Sequence, residues 1–521
     1  VMVALVTIVL TLIDHPARGL WPPLAALAVI LATRHALFGL LAGAFAGAVL
    51  LSGGNPLTAF VDIFAGHLWP SLQSSWKLGA IAFTFILGGF AAILEAGGGF
   101  AALMGRVARR GGDPARNLEA GAVGLGVLCF FDGLANSMVV GRVSRDLADR
   151  AGVARVKLAY IADSTSSAVA CVAVVSTWIA FQLSMISEAF VQAGHEVNPY
   201  GVFLASLPYN FYCWFTLALL VVAVRDRFHP GPMGEFSETA AAAPRDEEVS
   251  EHTGSVPGSP ASAIGPVIVL MGAFFAGFIL LGSPRPILPL TRDKIVAAFG
   301  SDAGPAVLVL ASVVATLAAV AWFPRHDGYS LGKAGRAFAA GVGTMVGPIF
   351  ILLAAWMMSS VIGELGTAAY ISRLATESGS LFLVPTLTFL TGAAISFATG
   401  TSWGTMGLLF PLAVPAAAVM GADVSFLTII VAAVFSGAVV GDHCSPFSDT
   451  TIVTSISCGV EPHDHVRTQI PYALITAAGA VGVGFLPAGL GLPGWVSLGL
   501  GVLVILLLPR LTARLRSRSR P

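Results

Sequence analysis

The sequence predicts an all-α polytopic membrane protein made of two inverted-topology repeats with re-entrant hairpins and broken helices. Three observations lead there. Of 521 residues, 56% are hydrophobic and only 11% charged, whereas a soluble domain carries about a quarter charged. Apolar stretches approaching ~20 residues, the length that crosses a bilayer, recur along nearly the whole chain. The polar interruptions of the first half also return in the same order in the second. An ordinary soluble enzyme is thereby excluded. The 28 basic residues balance the 28 acidic ones, so no nucleic-acid partner is implied. The 59 glycines suit helices that pack closely in lipid.

Candidate spans run roughly over 1–13, 20–33, 36–52, 78–96, 119–141, 158–182, 203–224, 264–282, 303–323, 341–363, 381–398, 405–420, 424–441, 470–488 and 491–509. They divide the chain into four parts. Residues 1–225 hold N-terminal membrane helices and a first repeat, and 226–262 form a flexible linker, polar and rich in Pro, Ser, Gly and acid. Residues 263–490 hold the second repeat, and 491–521 a last membrane helix with a basic tail. Val1–Ala4 has no basic region before it and no small-residue cleavage site, which reads as a first membrane helix rather than a removable signal. The five cysteines lack paired spacing and sit in or beside apolar segments, so they read as core thiols.

Four matches define the repeat. Phe85-Ile86-Leu87 precedes Glu95 and Arg106, as Phe350-Ile351-Leu352 precedes Glu364 and Arg373. Phe131-Asp132-Gly133 faces Ala398-Thr399-Gly400. Gly152, a span and Asp163–Ser167 face Gly421, a span and Asp442–Ser445. Leu207-Pro208-Tyr209 faces Ile470-Pro471-Tyr472, each opening a new span. Charge then sets orientation. Arg106, Arg109, Arg110 and Arg116 precede segment 119–141, and Arg142, Arg145, Arg150, Arg155 and Lys157 follow it. By the positive-inside rule both loops are cytoplasmic, which makes 119–141 a re-entrant hairpin. Nothing basic occupies 411–423, which suits the outer face and inverts the second repeat. Arg510, Arg514, Arg516, Arg518 and Arg520 put the C-terminus in the cytoplasm.

Polar groups at membrane depth are costly, so each cluster asks for a reason. Four stand out: Asp132–Ser137, Asp163–Ser167, Thr399–Thr405 and Gly441–Thr451. Each mixes Gly or Pro with hydroxyls or carboxylates, and such breaks free backbone groups to face an ion. Hard oxygen ligands suit an alkali cation. Sodium is expected at Asp163, Ser164, Asn136, Thr401, Ser402, Asp442 and Ser445. Further binding candidates are Ser137, Thr165, Thr399, His443, Ser448, Thr450 and Thr451. Asp163, Asp442, Asp449 and Asp132 are the candidates for proton coupling. Trp178 and Trp403 read as packing residues. Asp442, His443 and Cys444 with His463, Asp464 and His465 fit no zinc spacing, and the second group reads as a loop. No cofactor is expected beyond sodium as transported or coupling ion. Val439, where an intramembrane aspartyl protease needs Gly, excludes that enzyme, and no Walker loop or His-Glu-x-x-His motif occurs.

At Gly441-Asp442-His443-Cys444-Ser445-Pro446-Phe447-Ser448-Asp449-Thr450-Thr451 and Asp464–Ala473 the chain closely resembles the NhaC family of sodium/proton antiporters. Phe131–Asn136 and Lys157–Thr165 resemble first-half segments of one branch, except that Gly133 and Leu134 stand where that branch has Asp and Tyr. The resemblance spans about residues 80–490. It implies membership of the wider ion-transporter superfamily: a homodimer with a scaffold and a mobile, elevator-type domain holding both hairpins. The expectation is a secondary transporter in a bacterial plasma membrane exchanging sodium, or a similar monovalent cation, for protons by alternating access. The alternative is a sodium- or proton-coupled transporter or exchanger of a small organic solute, a carboxylate or amino acid. A passive channel is a third class.

Overall fold

The computed structural model describes residues 2–13, 15–242, 259–323, 330–370, 373 and 380–518. All regular elements among the described residues are helices, as lipid demands of a chain that must satisfy its own backbone hydrogen bonds. Nine are long and apolar enough to cross a membrane, or twelve if three bent pairs each count as one span. The protein is a multi-pass membrane protein.

The first half runs through α1 (Ser75–Ala96), α2 (Gly99–Ala108), α3 (Pro114–Leu128), α4 (Gly133–Ala151), α5 (Arg155–Val172), α6 (Thr177–Gln192) and α7 (Phe211–Arg225). The second runs through α8 (Val346–Glu364), α9 (Val384–Thr399), α10 (Ser402–Val419), α11 (Val424–Cys444), α12 (Asp449–Cys458) and α13 (Pro462–Gly479). α14 (Gly494–Arg518) follows. Segment 119–141 is not one span. α3 and α4 pack on each other and meet at a short turn, with the Asn136 amide of α4 donating to the Gly126 carbonyl of α3 at 2.6 Å. α9 and α10 form the corresponding pair.

The halves match in detail. Gly152 and Gly421, with φ of 69° and 94°, stand just before α5 and α11; this left-handed backbone is where glycine costs least. The packing is also reciprocal: α4 lies on α12, and α10 lies on α6. Each hairpin therefore leans its second arm on the helix after the other half's break. Glu95 pairs with Arg142 at 3.1 Å, while Glu364 stands 3.6 Å from His67.

The structure corrects several positions. Asp163–Ser167 was expected to interrupt its span, yet it lies inside unbroken α5. Two of its hydroxyls bond back to their own helix, Thr165 to the Ile161 carbonyl at 2.9 Å and Ser166 to the Asp163 carbonyl at 3.0 Å. Such bonds let hydroxyls sit mid-helix. The break comes later, where Ser176 caps α6 and the axis bends by 44°. Ile470–Tyr472 opens nothing, for Pro471 lies within α13. Within the expected linker, Met233–Ala242 is a helix and Met233 is fully buried; residues 243–258 and Arg520 lie outside the described residues. All five cysteines are buried and free.

Candidate functional site

Four helix starts converge on one cavity of about 290 Å³. Its wall takes Asp132, Gly133 and Leu134 from the first hairpin tip and Gly400–Trp403 from the second. Thr177 and Trp178 come from the start of α6, Asp449 and Thr450 from the start of α12, and Asp442 from the end of α11. The stretch from Thr344 to Ile351 closes the remaining side.

Each tip is held by its own side chains. Asp132 caps α4, accepting from the Ala135 amide at 2.7 Å through Oδ1 and from the Thr177 hydroxyl at 2.9 Å through Oδ2. The Thr177 amide also donates to the Phe131 carbonyl at 2.8 Å, so the first tip is laced to the first break. Thr401 caps α10 in the equivalent place, accepting from the Gly404 amide at 3.1 Å. Gly400 has φ 68°, and a Cβ there would lie 2.6 Å from the Phe447 backbone. The second tip thus touches the second break so closely that only hydrogen fits.

Asp442 is the best supported carboxylate. Oδ2 accepts from Ser402 at 2.8 Å and Ser167 at 3.2 Å, and Oδ1 from Ser448 at 3.4 Å. Its carbonyl accepts from Thr450 and Thr451 at 2.9 and 3.1 Å. Hairpin, first broken helix and second break therefore meet at one residue, 4% exposed. Asp449 is exposed towards the cavity. Among the described residues no Lys, Arg or His lines this wall, which leaves three carboxylates facing the positive ends of four helices.

A second cluster lies behind the wall. The Asp163 carboxylate accepts from the Gln469 amide at 2.7 Å and stands 3.3 Å from His465 Nε2. The Gln469 amide also donates to the His443 carbonyl. The His443 ring is bonded on both sides, to Ser164 through Nε2 and to Tyr212 through Nδ1, each at 2.8 Å.

The structure therefore gathers Asp132, Thr401, Ser402, Asp442, Asp449 and Thr450 on the cavity and sets the other candidates elsewhere. Asn136 is engaged between Gly126 and the Thr165 carbonyl, 2.9 Å away. Ser137 is fully buried with no partner for its hydroxyl. Thr165, Thr399, Ser445 and Thr451 hydroxyls contact backbone: Thr399 donates to Ile395 at 2.7 Å, and Ser445 accepts from the Phe447 amide at 3.3 Å. Sequence reasoning did not single out Thr177, Gln469 or Tyr212, and it placed His465 in a loop and Trp178 and Trp403 in packing. His465 is in fact a fully buried residue of α13, and both tryptophans line the cavity. A His-x-x-x-Gln spacing on one helical face was the available signal. Among the described residues no three His, Cys, Asp or Glu form a metal cluster.

Spans, paired hairpins and an acidic cavity between them are the parts of a membrane transporter, and the family match shows a secondary transporter, not an enzyme. The chain belongs to the Na+/H+ antiporter family, which it matches over residues 169–490, in agreement with the resemblance at Gly441–Thr451. An uncharacterized protein of Haemophilus influenzae is 30% identical, the match covering 93% of this chain and 94% of that one. The malate-2H(+)/Na(+)-lactate antiporter of Bacillus subtilis is 37% identical over a stretch covering 21% of this chain and 23% of its own. Among solved structures, the Alcanivorax borkumensis YdaH transporter shares the fold with a TM-score of 0.60 and 16% identity, over 84% of this chain and 89% of that one.

Proposed function

We propose that this antiporter-family protein exchanges sodium, or a similar monovalent cation, for protons across a bacterial plasma membrane by alternating access. The cavity carries the reading: three carboxylates and several hydroxyls face it, and among the described residues no Lys, Arg or His lines its wall. A cation entering there meets Asp442, Asp449 and Asp132 together with the oxygens of Thr401, Ser402 and Thr450. Carboxylates that share one cavity resist ionising together, and a bound cation relieves them. Cation entry is therefore expected to expel a proton, and acid to weaken cation binding. The reciprocal packing of hairpins on post-break helices supports an elevator motion, with both tips and both breaks travelling as one body. A homodimer would supply the fixed scaffold, with the basic tail in the cytoplasm.

A second reading has its own support. A bare cation fills little of 290 Å³, and two tryptophans with four helix N-termini suit an organic solute bearing a carboxylate. Proteoliposomes separate the two. With an imposed proton gradient, the first reading expects saturable accumulation of radioactive sodium. Accumulation of a labelled carboxylate or amino acid without sodium movement would replace it, and unsaturable conductance would make the protein a channel.

A further inference from the structure

We propose that Arg34 and Phe447 form a charged gate at the second break, on a water-filled route that reaches the cavity past Asp449. Arg34 and His35 make the turn between the helices Trp21–Thr33 and Ala36–Leu51. The first of these starts where α8 ends, the Thr367 hydroxyl just beyond α8 donating to the Gly19 carbonyl at 2.7 Å. Its 13 residues cover about 20 Å, short of the ~30 Å hydrocarbon core. The second starts against the second hairpin: a Cβ on Gly404, one turn from the tip, would lie 2.7 Å from the Ala36 methyl. Further along, its Gly43 and Gly47 pack on Met358 and Val361 of α8. The turn therefore lies inside the membrane, level with the hairpin tip.

A guanidinium at that depth is costly and asks for a reason. Among the described residues no carboxylate pairs with Arg34. Its side chain lies instead over the Phe447 ring, 3.2 Å from the centroid, a cation–π contact. The backbone is bent to put it there: Arg34 has φ 57°, a left-handed conformation that residues with a Cβ seldom hold. The neighbouring His35 is close enough to act electrostatically on Asp449. Of the three wall carboxylates, Asp132 and Asp442 are buried and Asp449 is exposed; so are Phe447, at 42%, Arg34 and His35. Charged side chains at membrane depth face water or the protein interior rather than lipid. This strip is therefore the wall of a water-filled route leading out of the cavity.

The two sides of the gate sit on different supports. Helix Ala36–Leu51 packs chiefly on Trp21–Thr33 and α8, whereas Phe447 stands in the break between α11 and α12 with its backbone against Gly400. A shift of the break against the N-terminal helices parts ring and guanidinium by undoing a single cation–π contact. Closed, the ring narrows the route, and the fixed positive charge offsets part of the pull that three carboxylates exert on any cation passing it.

The gate rests on the cavity as cargo site, not on sodium as cargo, and thiol labelling keeps the two apart. Leu134→Cys places a thiol on the cavity wall, and because the five natural cysteines are buried, wild type supplies the background. Its reaction rates with a cationic methanethiosulfonate (trimethylammonioethyl) and an anionic one (sulfonatoethyl) are compared in purified protein. Adding Arg34→Gln is expected to shift the rate ratio about tenfold towards the cationic reagent. That is what one unit charge does to reagents of opposite sign at ~15 Å and an effective dielectric constant of about 30. Arg34→Lys, which keeps the charge, should hold the ratio within about twofold, and Phe447→Ala should speed both reagents at least about fivefold. A ratio unmoved by Arg34→Gln overturns the proposal. So do rates unchanged by Phe447→Ala, or a thiol that stays unreactive in every variant. If wild type moves no sodium at all, the cargo reading falls and the labelling rates still decide this one.

Discussion

Asp442 gathers three serine hydroxyls from three different segments, so its replacement tests more than a charge. Asp442→Asn is expected to abolish proton-driven sodium uptake and sodium/sodium exchange alike, because the cavity loses its central carboxylate. Ser402→Ala removes one hydrogen bond to a charged group, worth about 1.5 kcal/mol. Cation affinity should weaken about tenfold in equilibrium binding while the pH response remains; an unchanged affinity would detach Ser402 from the site. Outside the spans, burial, followed by the charges of Lys157 and Arg227, pushes the His229 imidazole down to about 4. The unfolded chain then binds the proton first. Its contribution is complete above about pH 6.5 and is lost as pH falls from there towards 4. Limited proteolysis of 226–242 should accelerate in that window in wild type and not in His229→Gln.

At the scale of elements, two contacts hold the hairpins in register. Gly400→Val forces a side chain into left-handed backbone, a cost of about 1–2 kcal/mol, and drives it against Phe447. The variant should fold with a lowered Tm and lose at least tenfold in exchange; wild-type flux would mean that the tip is not seated there. The first hairpin is anchored by the buried Lys157–Glu119 pair at 2.7 Å. Glu119→Gln strands an ammonium inside the protein, and breaking such a pair costs about 3 kcal/mol. Thermal unfolding in detergent should show that loss, and a doubly neutral Lys157→Met/Glu119→Gln protein should recover part of it.

For the whole molecule, the matter is which parts share a side of the membrane. Accessibility labelling of single-cysteine variants should place 111–117 and 143–151 on the cytoplasmic face with the C-terminal tail, and 411–423 on the other. Finding the first two on opposite faces would remove the re-entrant hairpin. Excision of 243–258 should leave transport intact. The cut stops there because Met233, at the start of the preceding helix, is fully buried.

Membrane residence, the repeat, both hairpins and the acidic character of the site follow from the sequence alone. Hydropathy, loop charge and isolated polar clusters are local signals, and lipid leaves a polar run few alternatives. The family is likewise legible at Gly441–Thr451. Which polar groups share a cavity was not legible. Asp163–Ser167 and Asp442–Thr451 look equivalent as strings, yet the first lies within one unbroken helix, Thr165 and Ser166 bonding to its backbone and Ser164 and Ser167 reaching across to α11, while the second straddles a true break at Ser445–Ser448. That places Asp442 on the wall and Asp163 behind it, beside a histidine 302 positions along the chain. Partnership at such separation depends on how α5, α11 and α13 pack, and side-chain packing across helices leaves no mark in the periodicity of any one of them.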